Sequence, residues 1–462
     1  MHDLETLQTG GYRTAGITEL RLACPLVEFP EEVLELGDTL EKLDLSGTGL
    51  SSLPANLGSA LPNLKTALFS DCNFKVFPRE LAACPKLETA VFRSNGMEEV
   101  PEDALPSSLG SLILTNNQLT YLPASIGDCV HLQECMLAGN QLRELPAEMA
   151  RCKQLQLLRL SSNCLADLPD WLFTLPELAY LSFASNPCVS PTTNGFHAPR
   201  GLAEIPWGQL EPQDAIPSTS QGTGTGTPAL WHQSPHYTED VSLTIFEGDQ
   251  ATDLGLPADA LSATLAAGAH ECLVTLLGRV LNHPHEDVPD TGYIGGVVTQ
   301  LVPQEYIPLS DLPQQQPPSA AASQPAAAES APPLDPSSAL QLLTGLAGAL
   351  HHLHARGLSH GALHAHSILA SAVDAHALLP NLGAATVYHA THPHAEQVEK
   401  IEVLAFGKVV GEVLERLMGR CNMGDVGGRV GFAEVVDGLE GLVGWRGMMR
   451  IPDVGGGEGQ GR

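Results

Sequence analysis

The chain has 462 residues, of which 53 are Asp or Glu and 23 are Lys or Arg, so its formal net charge is −30. This negative charge argues against binding to nucleic-acid phosphates or to an anionic membrane surface, since both require clustered Lys and Arg. Apolar residues make up 43% of the chain and can supply sizeable cores, although aromatic residues contribute only 5%. The length suffices for two or three domains.

The sequence contains neither a charged-then-apolar leader nor an apolar run of about 18 residues, so we expect no signal peptide and no membrane span. Its ten Cys residues are scattered and form no C-x-x-C pair. Cys84, Cys129 and Cys152 each precede a repeat-starting Leu by three residues, which indicates packing positions rather than a disulfide framework. A reducing, cytoplasmic environment fits this usage best.

The first part of the chain, residues 1–190, repeats a segment of about 23 residues. Segments such as "LGSLILTNNQL" follow the pattern L-x-x-L-x-L-x-x-N/C-x-L, which is typical of leucine-rich repeats. Alternation along each strand points Leu112 and Leu114 inward and Ile113 outward. One repeat cannot bury its apolar face alone, so the repeats should stack into an α/β solenoid. Pro residues mark the period: Pro30, Pro54, Pro78, Pro101, Pro123, Pro146 and Pro169.

Two further sets of residues recur in register along this array. One set is polar and can satisfy the backbone groups of the turn after each strand: Asn95, Asn117, Asn140, Asn163 and Asn186. The other set forms an apolar stripe at central outward positions: Leu68, Val91, Ile113 and Met136. We predict that this stripe binds a protein partner on the concave surface. The alternative is that a small solenoid simply carries some aliphatic residues on its strands.

Composition changes after the array. Residues 191–235 accumulate Pro, Ser, Thr and Gly, as in "STSQGTGTGTP", and predict a linker to a second domain. Residues 314–337 include "QQQPPSAAASQPAAAESAPP", which cannot build a core and predicts a disordered insert. The Gly-rich tail, residues 451–462, is also predicted to be disordered.

A long amphipathic helix is predicted at 338–356, with Ser338 and Gln341 as a capping box and Gly357 as its stop. The stretch "LSHGALHAHSILAS" follows at once, and "NLGAA" comes nineteen residues after Ala362. Protein kinases have the same order of helix, H-R-D-L-x-x-x-N loop and D-F-G motif.

On these motifs, together with "VSLTIFEGD", "AAGAH" and "IEVLAFG", residues 15–440 resemble leucine-rich-repeat protein kinases with a compact kinase domain. The resemblance implies an α+β protein-kinase-like domain with two lobes, an N-lobe at 236–313 and a C-lobe at 338–450. It also implies ATP between the lobes and serine/threonine kinase activity as the family's function. Five residues match the family pattern and would be chiefly structural: His360, Leu363, Ile368, Leu369 and Gly383.

The residues that would perform phosphoryl transfer are replaced throughout. The strand Lys position is Thr244, and the helix Glu position falls near Ala260, beside an Asp259 that should face elsewhere. The base position is Ala362, and the two metal positions are Ser367 and Asn381. The Gly-rich loop has the spacing G-x-G-x-G at Gly222, Gly224 and Gly226. We therefore predict a pseudokinase that needs no cofactor and acts as a protein-interaction or scaffold protein in intracellular signalling.

Three alternatives remain. An active ATP- and Mg²⁺-dependent kinase could use displaced carboxylates at Asp374 or Glu396. The His-rich region from His351 to His394 could bind a metal, although its spacing matches no closed zinc site. The repeat array alone could carry the function, with the second half a degenerate remnant. The sequence leaves the partner's identity and the oligomeric state open.

Overall fold

A computed structural model describes residues 2–189, 202–213, 226–252, 254–286, 288, 291–313, 334–388 and 392–418. Its first part is a solenoid of leucine-rich repeats with an eight-stranded parallel sheet on the concave side. Seven strands coincide with the predicted repeats, and β1 adds an eighth. The strands are β1 (Glu19–Arg21), β2 (Lys42–Asp44), β3 (Thr66–Leu68), β4 (Thr89–Val91), β5 (Ser111–Ile113), β6 (Glu134–Met136), β7 (Leu157–Arg159) and β8 (Tyr180–Ser182).

Alternation along these strands places the Leu residues in a continuous core, as predicted. Leu112 and Leu114 have no exposed surface, whereas Ile113 between them is half-buried on the concave face. The Asn117 amide accepts hydrogen bonds from the backbone N–H groups of Asn95 and Met97, at 3.1 and 2.9 Å. It also donates to the carbonyl oxygens of Phe92 and Leu114. The Asn residues that recur in register, which we call the Asn ladder, therefore satisfy the backbone groups of the turns as expected.

Short helical turns form the other side of the array. The predicted packing role of Cys84, Cys129 and Cys152 is confirmed, because each is buried, and burial raises the pKa of their thiols to about 11, 12 and 11. The α-helices are α1 (Leu4–Gln8), α2 (Gly11–Ala15) and α3 (Leu57–Ala60), and the 3₁₀ segments are Glu31–Leu36, Arg79–Ala83, Ala124–Asp128, Ala147–Arg151 and Asp170–Thr174.

The second part begins with a six-stranded sheet in the order β10-β11-β12-β14-β13-β9. Helix α4 (Pro257–Ala267) lies between β12 and β13 in the chain and packs on the sheet through Phe246, Leu261 and Val297. The strands are β9 (Ala203–Pro206), β10 (Leu210–Pro212), β11 (Thr227–Ser234), β12 (Tyr237–Glu247), β13 (Leu276–Leu281) and β14 (Tyr293–Gln300). A 3₁₀ segment, Trp207–Gln209, joins β9 to β10.

This sheet corrects the predicted linker at 191–235, because β9, β10 and β11 all lie within it. The Ser- and Gly-rich composition pointed to a connection, yet short strands need only a few buried residues between polar ones. Ile205, Leu210 and Ala229 supply them, and all three are buried in the core of the sheet. The strands therefore start about 30 residues before the predicted N-lobe boundary at 236.

Helix α5 (Pro336–Ala355) begins two residues before its predicted start. Asp335, rather than Ser338, is its N-cap, since its carboxylate accepts from the N–H groups of Ser337 and Ser338 at 2.9 and 3.1 Å. Gly357 ends the helix with a left-handed φ of 69°, as predicted. The predicted disordered insert is therefore too long at its end, and its residues 314–333 lie outside the described residues.

Around α5 the chain forms two small sheets, and one long helix follows them. β16 (Leu358–Ser359) pairs with β19 (Thr386–Val387), while β15 (Ile307–Pro308), β17 (Leu369–Ser371) and β18 (His376–Leu378) form a second sheet. Helix α6 (Ala395–Met418) closes the described chain, and 3₁₀ segments occur at Leu309–Asp311 and Ala365–Ser367. The predicted tail and the rest of the predicted C-lobe from 419 lie outside the described residues.

The two parts share a core. Leu157, Ala179 and Tyr180 of the repeat array belong to the same apolar cluster as Leu342 of α5 and Phe406 of α6. The second half therefore packs directly on the array, at its C-terminal repeats. No helix in the described ranges combines the length and the apolar character that a bilayer crossing requires.

Candidate functional site

The candidate site is the loop from His360 to Ser367, which joins β16 to β17. Its turn is closed by the Ser367 hydroxyl, which lies 2.8 Å from the carbonyl oxygens of both Ala362 and His364. The same oxygen accepts a hydrogen bond from the His364 N–H at 3.1 Å. The hydroxyl at the predicted second metal position is thus engaged by its own loop.

A buried carboxylate holds the start of this loop. Glu402 of α6 is 2% exposed, and its two oxygens lie 2.6 Å from the Gly361 N–H and from Nε2 of His354. Burial lowers the pKa of His354, but the hydrogen bond and charge of Glu402 outweigh it, so that the pKa is raised. His360 is fully buried beside them, and burial lowers its pKa. These groups fix the backbone of the loop beside Ala362.

The predicted base and metal positions carry no carboxylate. Ala362 is 8% exposed and offers only a methyl group. Asn381 uses its side-chain oxygen to accept from the Gly383 N–H at 2.7 Å, which caps its own turn. Leu382, at the position of the kinase Phe, is buried in the same core as Phe406. The apolar frame is kept, whereas the polar groups are absent or committed to local turns.

The sheet side of the site is equally uncharged. Thr244 is half-buried on β12, opposite Val297 of β14. Gly226, at a left-handed φ of 65°, lies so close to Thr244 that a Cβ there would be 2.6 Å from the Thr hydroxyl. Ala260 packs on the apolar side of α4, against the cluster around Val297. The other two Gly-rich-loop residues, Gly222 and Gly224, lie outside the described residues.

Asp259, the neighbour of Ala260 on α4, contacts the repeat array. Its carboxylate accepts a hydrogen bond from the Ser185 hydroxyl of the repeat array at 2.7 Å. Burial raises its pKa, and this outweighs the opposing effect of the Ser185 hydrogen bond. The only acidic residue of α4 therefore serves the contact between the two halves.

The repeat array covers the candidate loop, which the sequence did not predict. Arg159 of β7 is 2% exposed and donates a hydrogen bond of 2.6 Å to the Gly361 carbonyl oxygen. The Tyr180 ring lies against the His364 ring, with centroids 3.7 Å apart. Burial, then the charges of His366 and Arg159, lower the pKa of His364 to about 3. The sequence holds one sign of this contact, because the outward strand positions change from aliphatic residues to Arg159 at this repeat.

The predicted concave stripe is split by this contact. Leu68, Val91 and Ile113 lie side by side on paired strands and are half-buried. Met136, next in register, packs against the apolar cluster that the two halves share. The structure therefore leaves three of the four predicted partner-binding residues facing the open part of the concave surface.

The residues of the alternative hypotheses are engaged elsewhere. Asp374 accepts from the Ser371 hydroxyl at 2.9 Å in the turn between β17 and β18. Glu396 pairs with Lys400 one helical turn away, at the surface. His394 lies 3.4 Å from Asp167 of the array. Within the described ranges, no group of three or more His, Cys, Asp or Glu side chains is placed to hold a metal ion.

Comparisons with known proteins concern the repeats. No protein-family model matches the chain. It is 28% identical over 128 residues to the volume-regulated anion channel subunit LRRC8B of Homo sapiens, which covers 27% of this chain and 16% of that protein. The Mus musculus protein of the same name matches over 129 residues with the same identity and shares. The match thus spans less than a fifth of the length of these curated relatives.

Two solved structures are also similar in part. A leucine-rich-repeat protein of Leptospira interrogans has a TM-score of 0.30 and 25% identity, over 35% of this chain and 47% of that one. The plant peptide hormone receptor RGFR1, in complex with RGF2, has a TM-score of 0.33 and 24% identity, over 39% of this chain and 30% of that one. The curated match and the parallel eight-stranded sheet support a leucine-rich-repeat protein as the nature of the first half.

Proposed function

We propose that this chain is a leucine-rich-repeat pseudokinase that acts as a protein-interaction or scaffold protein in intracellular signalling. The observation that carries the proposal is the set of uncharged side chains where phosphoryl transfer needs charge. The Lys position is Thr244, the base position is Ala362, and the metal positions are Ser367 and Asn381. The nine Cys residues in the described ranges are free, which fits a reducing, cytoplasmic compartment.

The order of elements supports the kinase-like part of the proposal. The sheet precedes and follows a single helix, α4, and is followed by the long helix α5, the His360 loop, the β17–β18 hairpin and the "NLG" segment. Thr244 lies on a central strand of this sheet, where a kinase has its phosphate-binding Lys. Loop and helix α6 are joined by Glu402, so the loop retains a fixed backbone without its catalytic residues.

The side chains at the predicted catalytic positions favour an inactive domain. A positioned general base alone contributes about 10²–10⁴-fold to a rate, and Ala362 cannot accept a proton. Mg²⁺ prefers carboxylates together with substrate phosphates, whereas the Ser367 and Asn381 oxygens are neutral and hydrogen-bonded within their turns. Arg159 and Tyr180 also cover the loop that a substrate hydroxyl would have to approach.

The interaction role rests on the open part of the concave sheet. Leu68, Val91 and Ile113 present an apolar row on neighbouring strands, and a contiguous apolar row at a solenoid surface is typical of a protein-binding site. The channel role in the name of LRRC8B concerns a much longer protein and supplies only the likeness of the repeats.

A phosphate-transfer assay tests the missing catalysis. We expect no transfer when the purified full chain is incubated with radiolabelled ATP and Mg²⁺ or Mn²⁺, with or without a generic protein substrate. A thermal-shift titration with ATP should give no stabilisation, whereas a ligand at 100 times its Kd would stabilise by about 2.7 kcal/mol. Robust phosphate transfer that an ATP-site inhibitor blocks would refute the pseudokinase proposal.

Partner capture tests the concave row. The double variant Val91→Glu/Ile113→Glu should lose the proteins that the wild-type chain captures from an extract of the source cells. Val130→Glu is the matched control, because Val130 is 45% exposed outside the strands and should retain them. Unchanged circular dichroism shows that the variants fold. Equal capture by the double variant and the control would count against the concave surface.

A further inference from the structure

A cleft lies between the turns of the repeat array and the segment that follows β12. We call it the rim cleft; it has a volume of about 530 Å³. The array contributes Asn116, Gln118 and Gln141, from turns that follow successive strands, and the second half contributes Asp249 and Ala251. Neither Thr244 nor the His360 loop lines this cleft, and it is separate from the apolar row on the concave strands.

The lining of the rim cleft restricts what can bind there. It consists mainly of amide and hydroxyl side chains with exposed backbone, and its single charged residue is Asp249. No Lys, Arg or aromatic residue lines it. Lys75 stands at the edge of the cleft, where its ammonium group donates to the Gly96 carbonyl oxygen at 3.3 Å. A ligand with alternating hydrogen-bond donors and acceptors matches the amides, since each amide offers both.

The cleft already holds one stretch of polypeptide by its main chain. The Asn116 amide donates to the Ala251 carbonyl oxygen at 2.5 Å and accepts from the Ala251 N–H at 3.0 Å. Both hydrogen bonds involve main-chain atoms of Ala251 and none of its side chain. Gly139 makes room for it, because a Cβ there would lie 2.4 Å from Oδ1 of Asn116 and 3.0 Å from Cβ of Ala251.

Two further amides stand beside this contact without partners. Gln118 and Gln141 occupy the equivalent position in their repeats, immediately after the ladder residues Asn117 and Asn140, and both are exposed. In the described part of the chain, neither side-chain amide has a hydrogen-bond partner. Both line the same cleft as Asn116 and Ala251.

We propose that the rim cleft binds an extended segment of a partner protein through that segment's main chain, alongside Ala251. The Gln118 and Gln141 amides pair with its peptide groups, and Asp249 together with the net charge of −30 favours a neutral or basic segment. The proposal extends the proposed interaction role to a second surface, and it does not depend on the concave row or on the state of the kinase-like domain.

Selection from a display library of random twelve-residue peptides on the full chain tests this proposal. Binding of the enriched synthetic peptides is then measured by fluorescence anisotropy. The variant Gln118→Ala/Gln141→Ala should bind them at least tenfold more weakly. Gln133→Ala/Gln154→Ala is the matched control, because both residues are exposed Gln of the array outside the cleft, and should bind within twofold of wild type.

Two more measurements separate this proposal from its competitors. N-methylation of a central peptide bond should weaken binding at least tenfold, whereas alanine substitutions in the peptide should change it little. Val91→Glu/Ile113→Glu should leave peptide binding unchanged, so failure of the rim cleft and failure of the concave row are distinguishable. The proposal is overturned if no peptide is enriched, if Gln118→Ala/Gln141→Ala binds normally, if N-methylation has no effect, or if a neutral oligosaccharide displaces the peptides.

Discussion

Replacing Arg159 with Met tests whether the repeat array holds the candidate loop in place. Met keeps much of the side-chain volume but removes the donors, so the buried Gly361 carbonyl oxygen loses a hydrogen bond of 2.6 Å from a charged group. Such a bond contributes about 1.5–3 kcal/mol, and loss of one partner also leaves a buried acceptor unsatisfied. The equilibrium for local opening of the loop should therefore increase about 10- to 100-fold.

Hydrogen exchange followed by mass spectrometry measures this opening directly. Peptides that span residues 358–371 should lose protection in Arg159→Met, while peptides from strands β3 to β5 should keep it. Arg151→Met is the control, because the Arg151–Asp128 pair is largely exposed and such pairs contribute about 0–1 kcal/mol. Unchanged protection of the loop in Arg159→Met, or equal losses in both variants, would refute the reasoning.

Three further predictions concern the loop and the array. In the docked loop the pKa of His364 is about 3, below its ordinary value of 6.5, so the undocked loop takes up a proton that the docked loop excludes. Protection of residues 358–371 from hydrogen exchange should therefore fall as the pH drops below 6.5. The fall should be smaller in His364→Phe. Glu402→Gln should lower the free energy of unfolding by about 2–4 kcal/mol, since it breaks the buried pair with His354. Glu396→Gln, at the exposed pair with Lys400, should change it by less than about 1 kcal/mol. Thermal denaturation of the two variants measures the difference. Asn117→Ala should cost about 2–4 kcal/mol in urea denaturation because buried backbone groups lose their partner, and Asn73→Ala, which is exposed, should cost about 1 kcal/mol or less.

The repeat array was predictable because its information is local. A period of about 23 residues, with Leu at alternate positions and Asn after strands β4 to β8, specifies the strand, the turn and the direction of each side chain. Leu112, Ile113 and Asn117 all occupy the expected environments. The predicted helix at 338–356 also exists, but its cap was assigned to Ser338 when a stronger carboxylate acceptor, Asp335, stood three residues earlier.

The second half was less predictable where composition and structure disagree. Ser- and Gly-rich residues around β9, β10 and β11 pointed to a linker, because composition does not reveal that a few buried residues pair with strands distant in the chain. Thr244 lies on strand β12, Ala260 on helix α4, and Ser367 in the 3₁₀ segment that follows Ala362, while their predicted roles stay predictions. Their local hydrogen bonds could not be derived from spacing alone.

The sequence by itself determined the solenoid, its concave apolar row and the uncharged side chains at Thr244, Ala362, Ser367 and Asn381. Only the tertiary structure decided that the array closes over the loop. Arg159 meets Gly361 across 202 residues, and Asn116 meets Ala251 across 135. No periodic pattern encodes such contacts, because they depend on how two surfaces that are distant in the sequence fit together. Burial of Leu157 and Tyr180 in a shared core provides the free energy that keeps those surfaces in contact.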